Sequence, residues 1–201
     1  LSLYQSTNQV KWFSTAQFLL DKLIAQFQDP NGGFFDTDPR IKDTPFEAQS
    51  NWQDNATPSA NALTAFALLQ MDAFTGNERY NQLAFTQLSS IIEEAVKQPL
   101  YYAFWLQNAS VADTPLIQIA VLGDPEHPNT QKLRRIVWEK YRPNVVYAES
   151  PYPPPPETPI ILHERPLRSK LPTAYVCEFF YCRYPTNKPE ELASLLNKKS
   201  L

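Results

Sequence analysis

Residues 58–75 have the sequence PSANALTAFALLQMDAFT. Apolar side chains fall on every side of a helix built from this stretch, so almost no polar face remains. A helix that is apolar all round is buried all round. Thr57 is the predicted N-cap, with Pro58 at the first helical position. Gly76 is the predicted end of the helix.

The segments on either side predict helices of a different kind. Residues 9–28 and 78–97 carry apolar side chains at three- and four-residue spacing and polar side chains elsewhere, which is typical of one-sided surface helices. Residues 99–110 predict another buried helix. The order is therefore outer, buried, outer, buried, whereas a four-helix bundle would show four one-sided helices. We predict that residues 1–113 form helical hairpins of a partial α/α toroid.

The C-terminal part alternates in another way. Residues 116–122 predict a strand, 130–141 a helix and 144–148 a second strand, and this order favours a small parallel sheet. Further predicted elements are a stiff polyproline-like spacer at 151–156, strands at 160–163 and 173–181, and a helix at 189–197. The predicted fold is thus mainly α with a small α/β part over residues 114–201.

Composition excludes several classes of protein. The 201 residues are 43% hydrophobic with a formal net charge of -3, which argues against general nucleic-acid binding. Residues 114–201 carry 12 Lys and Arg against 9 Asp and Glu, so the acidic balance lies in the first part. No apolar run approaches the roughly 20 residues of a membrane span. Because the only methionine is Met71, we expect a fragment or processed chain, and with no leader visible we expect a cytoplasmic location.

The long irregular stretch from Asp29 to Thr57 is the candidate site, since loops of this length in compact domains are usually functional. Asp54 and Asp36 are the candidate catalytic carboxylates, because carboxylates beside aromatic rings suit the binding or acid–base chemistry of sugars. The alternative is that the loop's phenylalanines plug the helices and that Asp36 only forms a turn. The candidate ligand-binding residues are Trp52, Phe35, Asn55, Ser59, Asn61 and Trp105.

Asn61 has two interpretations. It lies one turn inside an apolar helix whose first N–H groups could hold a polar ligand, and a buried amide needs partners. It could equally be a structural asparagine beside a capping loop. Cys177 and Cys182, five residues apart, would point to opposite faces of one strand and lie about 17 Å apart, which favours free thiols over a disulfide. With only His127 and His163 besides, we predict no metal and no cofactor, although redox or metal chemistry stays an alternative.

Four ordered motifs support a family resemblance: GGFFDT at 32–37, DNATPSAN at 54–61, TAYVC at 173–177 followed by Cys182, and PEEL at 189–192. Together they resemble the C-terminal third of the thioredoxin-domain-containing proteins related to spermatogenesis-associated protein 20. Such proteins have an N-terminal thioredoxin-like domain and a six-hairpin α/α toroid like those of glycosidases and sugar epimerases. Asn55 and Ala60 stand where the family tends to have glycine.

The resemblance implies a carbohydrate-like ligand, with Asp36, Asp54, Ser59 and Asn61 at the matching positions. Whether the chain catalyses a reaction stays open; an enzyme of this kind would be a carbohydrate hydrolase or isomerase. The alternative function is a non-catalytic interaction module that presents clients to the thioredoxin-like domain. We expect the fragment alone to lack activity and to self-associate or cover its apolar helices with its own α/β part.

Overall fold

The computed structural model describes residues 1–41, 47–114 and 116–197. The chain divides into two compact units. We call Leu1–Ser14, Ala73–Gly76 and Thr114–Leu201 the sheet unit, and Thr15–Asp72 and Asn77–Asp113 the helical unit. The sheet unit therefore includes two segments that precede residue 113. The division into domains 1–113 and 114–201 stays a prediction.

The predicted helices before residue 114 form, and an additional short helix precedes them. In chain order they are α1 at Ser2–Thr7, α2 at Val10–Phe27, α3 at Ala60–Thr75, α4 at Glu78–Lys97 and α5 at Ala103–Asp113. Asn77 is the N-cap of α4, because its side chain accepts a hydrogen bond from the N–H of Arg79 at 3.1 Å.

The contrast between α3 and its neighbours is confirmed. Along α3 only Ala60 and Leu63 are exposed. In α4, by comparison, the buried residues follow one stripe that includes Tyr80, Ala84 and Leu88. A side chain that projects from any face of α3 therefore meets other parts of the protein, as its composition requires.

The prediction of a buried helix over residues 99–110 is wrong at its start. Pro99–Tyr101 form a single 3₁₀ turn, and α5 begins only at Ala103. None of the three residues of this turn is buried, and Leu100 is 90% exposed. Within α5 the buried residues are Trp105, Asn108 and Val111, which form one stripe. The helix is therefore one-sided, and the prediction that it is buried like α3 is also wrong.

The predicted β-α-β order is confirmed in the sheet unit. It consists of β1 at Ile117–Leu122, α6 at Pro128–Trp138 and β2 at Val145–Ser150, with β1 and β2 parallel. β3 at Thr173–Glu178 adds antiparallel to the other side of β1. The helix predicted at 189–197 is α7, Pro189–Asn197. α6 and α7 bury Leu133, Val137, Leu192 and Leu196 against Ile119, Val121, Tyr147 and Val176 of the sheet.

Two predicted strands differ from the structure. Ile160–Leu162 form a 3₁₀ turn instead of a strand. The segment 173–181 is not one strand, because Phe179 and Phe180 take the left-handed conformation (φ of 49° and 64°) and reverse the chain. A short strand β4, Tyr181–Cys182, then pairs antiparallel with β3 and makes the sheet order β2-β1-β3-β4.

This reversal also overturns the prediction of two free thiols. Cys177 on β3 and Cys182 on β4 are directly opposite each other in the ladder, and they form a disulfide. The prediction assumed a single extended strand, in which the two residues would be far apart. A hairpin turn between them brings neighbouring strands to within the distance that a disulfide spans.

No helix in residues 1–41, 47–114 and 116–197 combines the length and apolar character needed to cross a membrane.

Candidate functional site

The loop between α2 and α3 starts with a tight turn in the helical unit. The N–H of Asp29 donates to the carbonyl of Gly33 at 3.0 Å, and the N–H of Phe35 donates to the carbonyl of Phe27 at 2.8 Å. Gly33 has a φ of +75°, and a Cβ there would lie 2.6 Å from Cζ2 of Trp52. Only glycine fits this position without displacement of the tryptophan.

Asn61 ties this turn to α3. Its Oδ1 accepts from the N–H of Phe34 at 2.7 Å, and its Nδ2 donates to the carbonyls of Phe34 and Asn51, each at 3.0 Å. The side chain is fully buried. These three bonds use most of the capacity of an amide, so the structural interpretation of Asn61 accounts for its position.

Asp54 ties the loop to the starts of two helices. Its Oδ1 accepts from the N–H of Ser59, next to α3, at 2.9 Å, and its Oδ2 accepts from the N–H of Phe104, in the first turn of α5, at 2.8 Å. A carboxylate in this position satisfies N–H groups that a helix leaves unpaired and interacts favourably with the helix dipole.

The N-cap of α3 differs from the prediction. The helix begins at Ala60, and the hydroxyl of Ser59 accepts from the N–H of Ala62 at 3.2 Å. Ser59 therefore takes the capping position that was predicted for Thr57, because the Asp54–Ser59 bond holds the preceding residues outside the helix.

The two predicted tryptophans lie together. Trp52 and Trp105 stack with ring centroids 5.4 Å apart, and Nε1 of Trp105 donates to the carbonyl of Trp52 at 2.8 Å. Trp105 is fully buried, while Trp52 is half-buried. The pair packs the loop onto α5.

An open cleft of about 710 Å³ lies between α2 and the loop, and we call it the α2–loop cleft. Of the predicted site residues, the structure brings Phe35, Asp36, Asn55 and Ser59 to its lining. Asp54, Trp52, Asn61 and Trp105 are not among the described residues that line it. The predicted set thus separates into residues on the cleft and residues that support the loop.

Sequence reasoning missed the contribution of α2 to this cleft. Lys22, Gln26 and Leu19 line it from the helix. Lys22 and Gln26 are four residues apart and therefore share one helix face. Their polar character was interpreted as a solvent-facing surface, and nothing in the sequence indicates that the loop folds back toward that face.

Charges at the cleft come from few groups. Asp36 is exposed and has its backbone N–H bonded to the carbonyl of Gln49 at 2.8 Å. The neighbouring carboxylate, Asp38, already has a counterion. Arg40 pairs with it at 2.5 Å and lowers the pKa of Asp38 to about 2. Asp36 and Lys22 are thus the charged side chains that line the described part of the cleft. In the described ranges no three His, Cys, Asp or Glu side chains cluster as metal ligands would.

The protein is thus mainly helical with a small mixed sheet. Its open cleft lies beside a loop whose backbone is held by side-chain hydrogen bonds. The chain is similar to spermatogenesis-associated protein 20 of Mus musculus, with 29% identity over 206 residues, and of Homo sapiens, with 29% identity over 203 residues. The protein of that name from Rattus norvegicus is 28% identical over 204 residues. Each similarity covers 98% of this chain and 26% of the relative, so the chain spans about a quarter of the relatives' length. No protein-family model matches the chain.

Proposed function

We propose that the chain binds a polyhydroxylated, carbohydrate-like ligand in the α2–loop cleft. The observation that carries this proposal is the mixture of groups on the cleft: Phe35 and Leu63 offer apolar surface, and Lys22, Asp36 and Asn55 offer charged and amide groups. A sugar ring has apolar faces bordered by hydroxyls, so it needs both kinds of contact. The volume of about 710 Å³ is in the range of small-molecule sites.

Asp36 is our candidate for the carboxylate that contacts the ligand. Glycoside hydrolysis generally needs two carboxylates roughly 5–10 Å apart across the scissile bond. Both oxygens of Asp54 already accept backbone N–H groups, so we assign Asp54 a positioning role. With one carboxylate available on the described lining, binding is better supported than hydrolysis.

We further propose that α2 to α5 are hairpins of a larger α/α toroid, with other hairpins supplied by sequence outside this chain. The near-absence of an exposed face on α3 and the exposed apolar residues Phe18 and Leu19 of α2, each 58% exposed, support this proposal. In the isolated chain such side chains favour self-association. A thioredoxin-like domain as partner and a cytoplasmic location are proposals that rest on the family resemblance.

A second function, a non-catalytic interaction module that presents clients to such a domain, is favoured by one observation. Asp54, Asn61 and Trp105 are all occupied in holding the loop. A protein that needs a rigid loop but no reacting groups would use its polar residues in this way.

A thermal-shift screen of the 201-residue chain with sugars and sugar phosphates separates the two functions. We expect at least one sugar to raise the melting temperature, and we expect Asp36→Asn to reduce that rise. Asp113→Asn makes the same change at an exposed site outside the cleft lining and is the matched control. If no sugar shifts the wild type, or if both variants respond alike, the sugar-binding proposal is wrong and the interaction module gains support.

A further inference from the structure

The sheet unit contains a second cleft, of about 940 Å³, which we call the hairpin cleft. Its lining includes Pro156, Ile160, His163, Glu164, Arg165 and Phe180. Phe180 belongs to the hairpin turn that the Cys177–Cys182 disulfide closes. None of these residues has a part in the proposed sugar site.

The guanidinium of Arg165 is fixed by two contacts, while its two terminal nitrogens have no hydrogen-bond partner among the described residues. Its Nε donates to the carbonyl of Ile161 at 2.6 Å, and its Cζ lies 5.5 Å from the centre of the Tyr175 ring. Among the described residues, no carboxylate pairs with Arg165 and no acceptor bonds its terminal nitrogens. A fixed guanidinium with free terminal N–H groups matches the geometry of a carboxylate or phosphate.

The surroundings of Arg165 favour an incoming anion. The side chain is half-buried, and this desolvation lowers the pKa of Arg165 from its ordinary value, although nearby Tyr175 and Glu164 act in the opposite direction. A partly desolvated cation that no described carboxylate contacts gains more from an anionic partner than an exposed one does. Residues 114–201 also carry 12 Lys and Arg against 9 Asp and Glu.

His163 is also fixed at the cleft. Its Nε2 lies 3.1 Å from Oγ1 and 3.0 Å from the carbonyl of Thr158. The Thr158 hydroxyl already donates to the carbonyl of Pro155 at 2.7 Å, so both Thr158 oxygens can only accept from the ring. Nε2 therefore carries the proton, and Nδ1 is the remaining polar atom of the ring.

The aromatic wall of the cleft is held in place from two sides. The N–H of Phe180 donates to Oε1 of Gln118 at 2.8 Å. The Phe180 ring lies so close to Gly76 that a Cβ at Gly76 would be 3.2 Å from Cε2 of the ring. A fixed aromatic ring and a fixed guanidinium on one cleft are the parts of a pre-formed site for an anion with an apolar body.

We propose that the hairpin cleft binds a small organic anion, with Arg165 pairing with its carboxylate or phosphate group and Phe180 packing on its apolar part. Glu164 lines the same cleft with opposite charge, so it limits the affinity for anions. This site is independent of the α2–loop cleft.

The test is calorimetric titration of the 201-residue chain with benzoate, phenyl phosphate and inorganic phosphate at constant ionic strength. We expect saturable binding of benzoate or phenyl phosphate, and the stronger of the two identifies the acidic group. Inorganic phosphate lacks the apolar part and should bind more weakly. Arg165→Gln should weaken binding about tenfold or more, since a charge-assisted pair is lost. Arg135→Gln, the same change at an exposed arginine of α6 that does not line this cleft, should have no effect.

Glu164→Gln keeps the proposal testable if Arg165→Gln fails to fold. Glu164 is exposed, so its replacement should leave the fold intact and strengthen the binding of either aromatic anion. No saturable binding by the wild type would overturn the proposal. An equal loss in Arg135→Gln and Arg165→Gln, or weaker binding by Glu164→Gln, would also overturn it.

Discussion

The loop before α3 and the four-stranded sheet are stabilised by different means. In the loop, side chains of α3 and of the loop itself bond the backbone: Asn61 bonds Phe34 and Asn51, and Asp54 bonds Ser59 and Phe104. In the sheet, backbone ladders and an apolar core carry most of the structure, and side-chain bonds such as that of Gln118 to Phe180 add to them. Stability is therefore concentrated in a few side chains in the first region and spread over many residues in the second. Single polar substitutions should have their largest effects in the loop.

The largest effect is expected for Asn61→Ala. The change removes three hydrogen bonds and leaves the N–H and carbonyl of Phe34 without these partners. Since each unsatisfied buried group costs about 1–3 kcal/mol, we expect a loss of about 4 kcal/mol in the free energy of unfolding. Urea denaturation followed by tryptophan fluorescence measures it. The control is Asn31→Ala in the exposed turn; a similar loss in both would contradict the concentration of stability in Asn61.

Gly33→Ala should follow, with a loss of about 3 kcal/mol from steric overlap and a left-handed backbone. The added Cβ would meet Trp52 at 2.6 Å and Asn61 at 2.8 Å. Gly32→Ala is the control, since Gly32 also has a positive φ (+109°) but a Cβ there would lie 3.9 Å from Oγ of Ser90, which is ordinary van der Waals contact. Melting by circular dichroism should show the larger loss for Gly33→Ala, even though the φ of Gly32 lies further from the left-handed region centred near about +57°. Equal losses would show that contact with Trp52 and Asn61 is unimportant.

Removal of the disulfide tests the hairpin of the sheet unit. The double variant Cys177→Ser with Cys182→Ser should lose about 2 kcal/mol, because the closed loop is short. Without reductant, iodoacetamide should label neither cysteine of the unfolded wild type, and after reduction it should add two labels by mass spectrometry. Labelling without reductant would restore the prediction of free thiols.

Tyr80 should make stability depend on pH in the alkaline range, and this is the smallest of the expected effects. Desolvation and a 2.7 Å bond to Asp21 raise the pKa of Tyr80 from 10.0 to about 12. Because the unfolded chain ionises first, stability falls as the pH rises from about 10 through about 12. Tyr80→Phe should be about 1 kcal/mol less stable at pH 8 but show a shallower fall over that interval in denaturation at stepped pH. An unchanged slope would contradict the raised pKa.

Much of the fold could be predicted because its signals are local. The helices at 78–97 and 189–197 follow from periodicity and capping residues, and the β-α-β order follows from alternation. The hairpin at Cys177–Cys182 could not be predicted, since the left-handed residues are two phenylalanines instead of the usual Gly or Asn.

The candidate site was predicted less completely for a related reason. Aromatic and acidic residues before α3 favoured this loop as the candidate site, but the partners of Asp54 and Asn61 include backbone groups 50 and 27 residues away. No pattern in the sequence distinguishes a carboxylate that holds a loop from one that faces a cleft. Only the fold separates Asp36 from Asp54.

The most direct test of this separation is thermal melting of Asp36→Asn and Asp54→Asn, each with and without the sugar that shifts the wild type most. Asp36→Asn should keep the wild-type melting temperature and lose the ligand-induced rise. Asp54→Asn loses one acceptor, so it should melt about 4 °C lower and keep the rise. The account would be contradicted if Asp54→Asn kept the wild-type melting temperature but lost the rise with sugar, while Asp36→Asn melted lower but kept that rise.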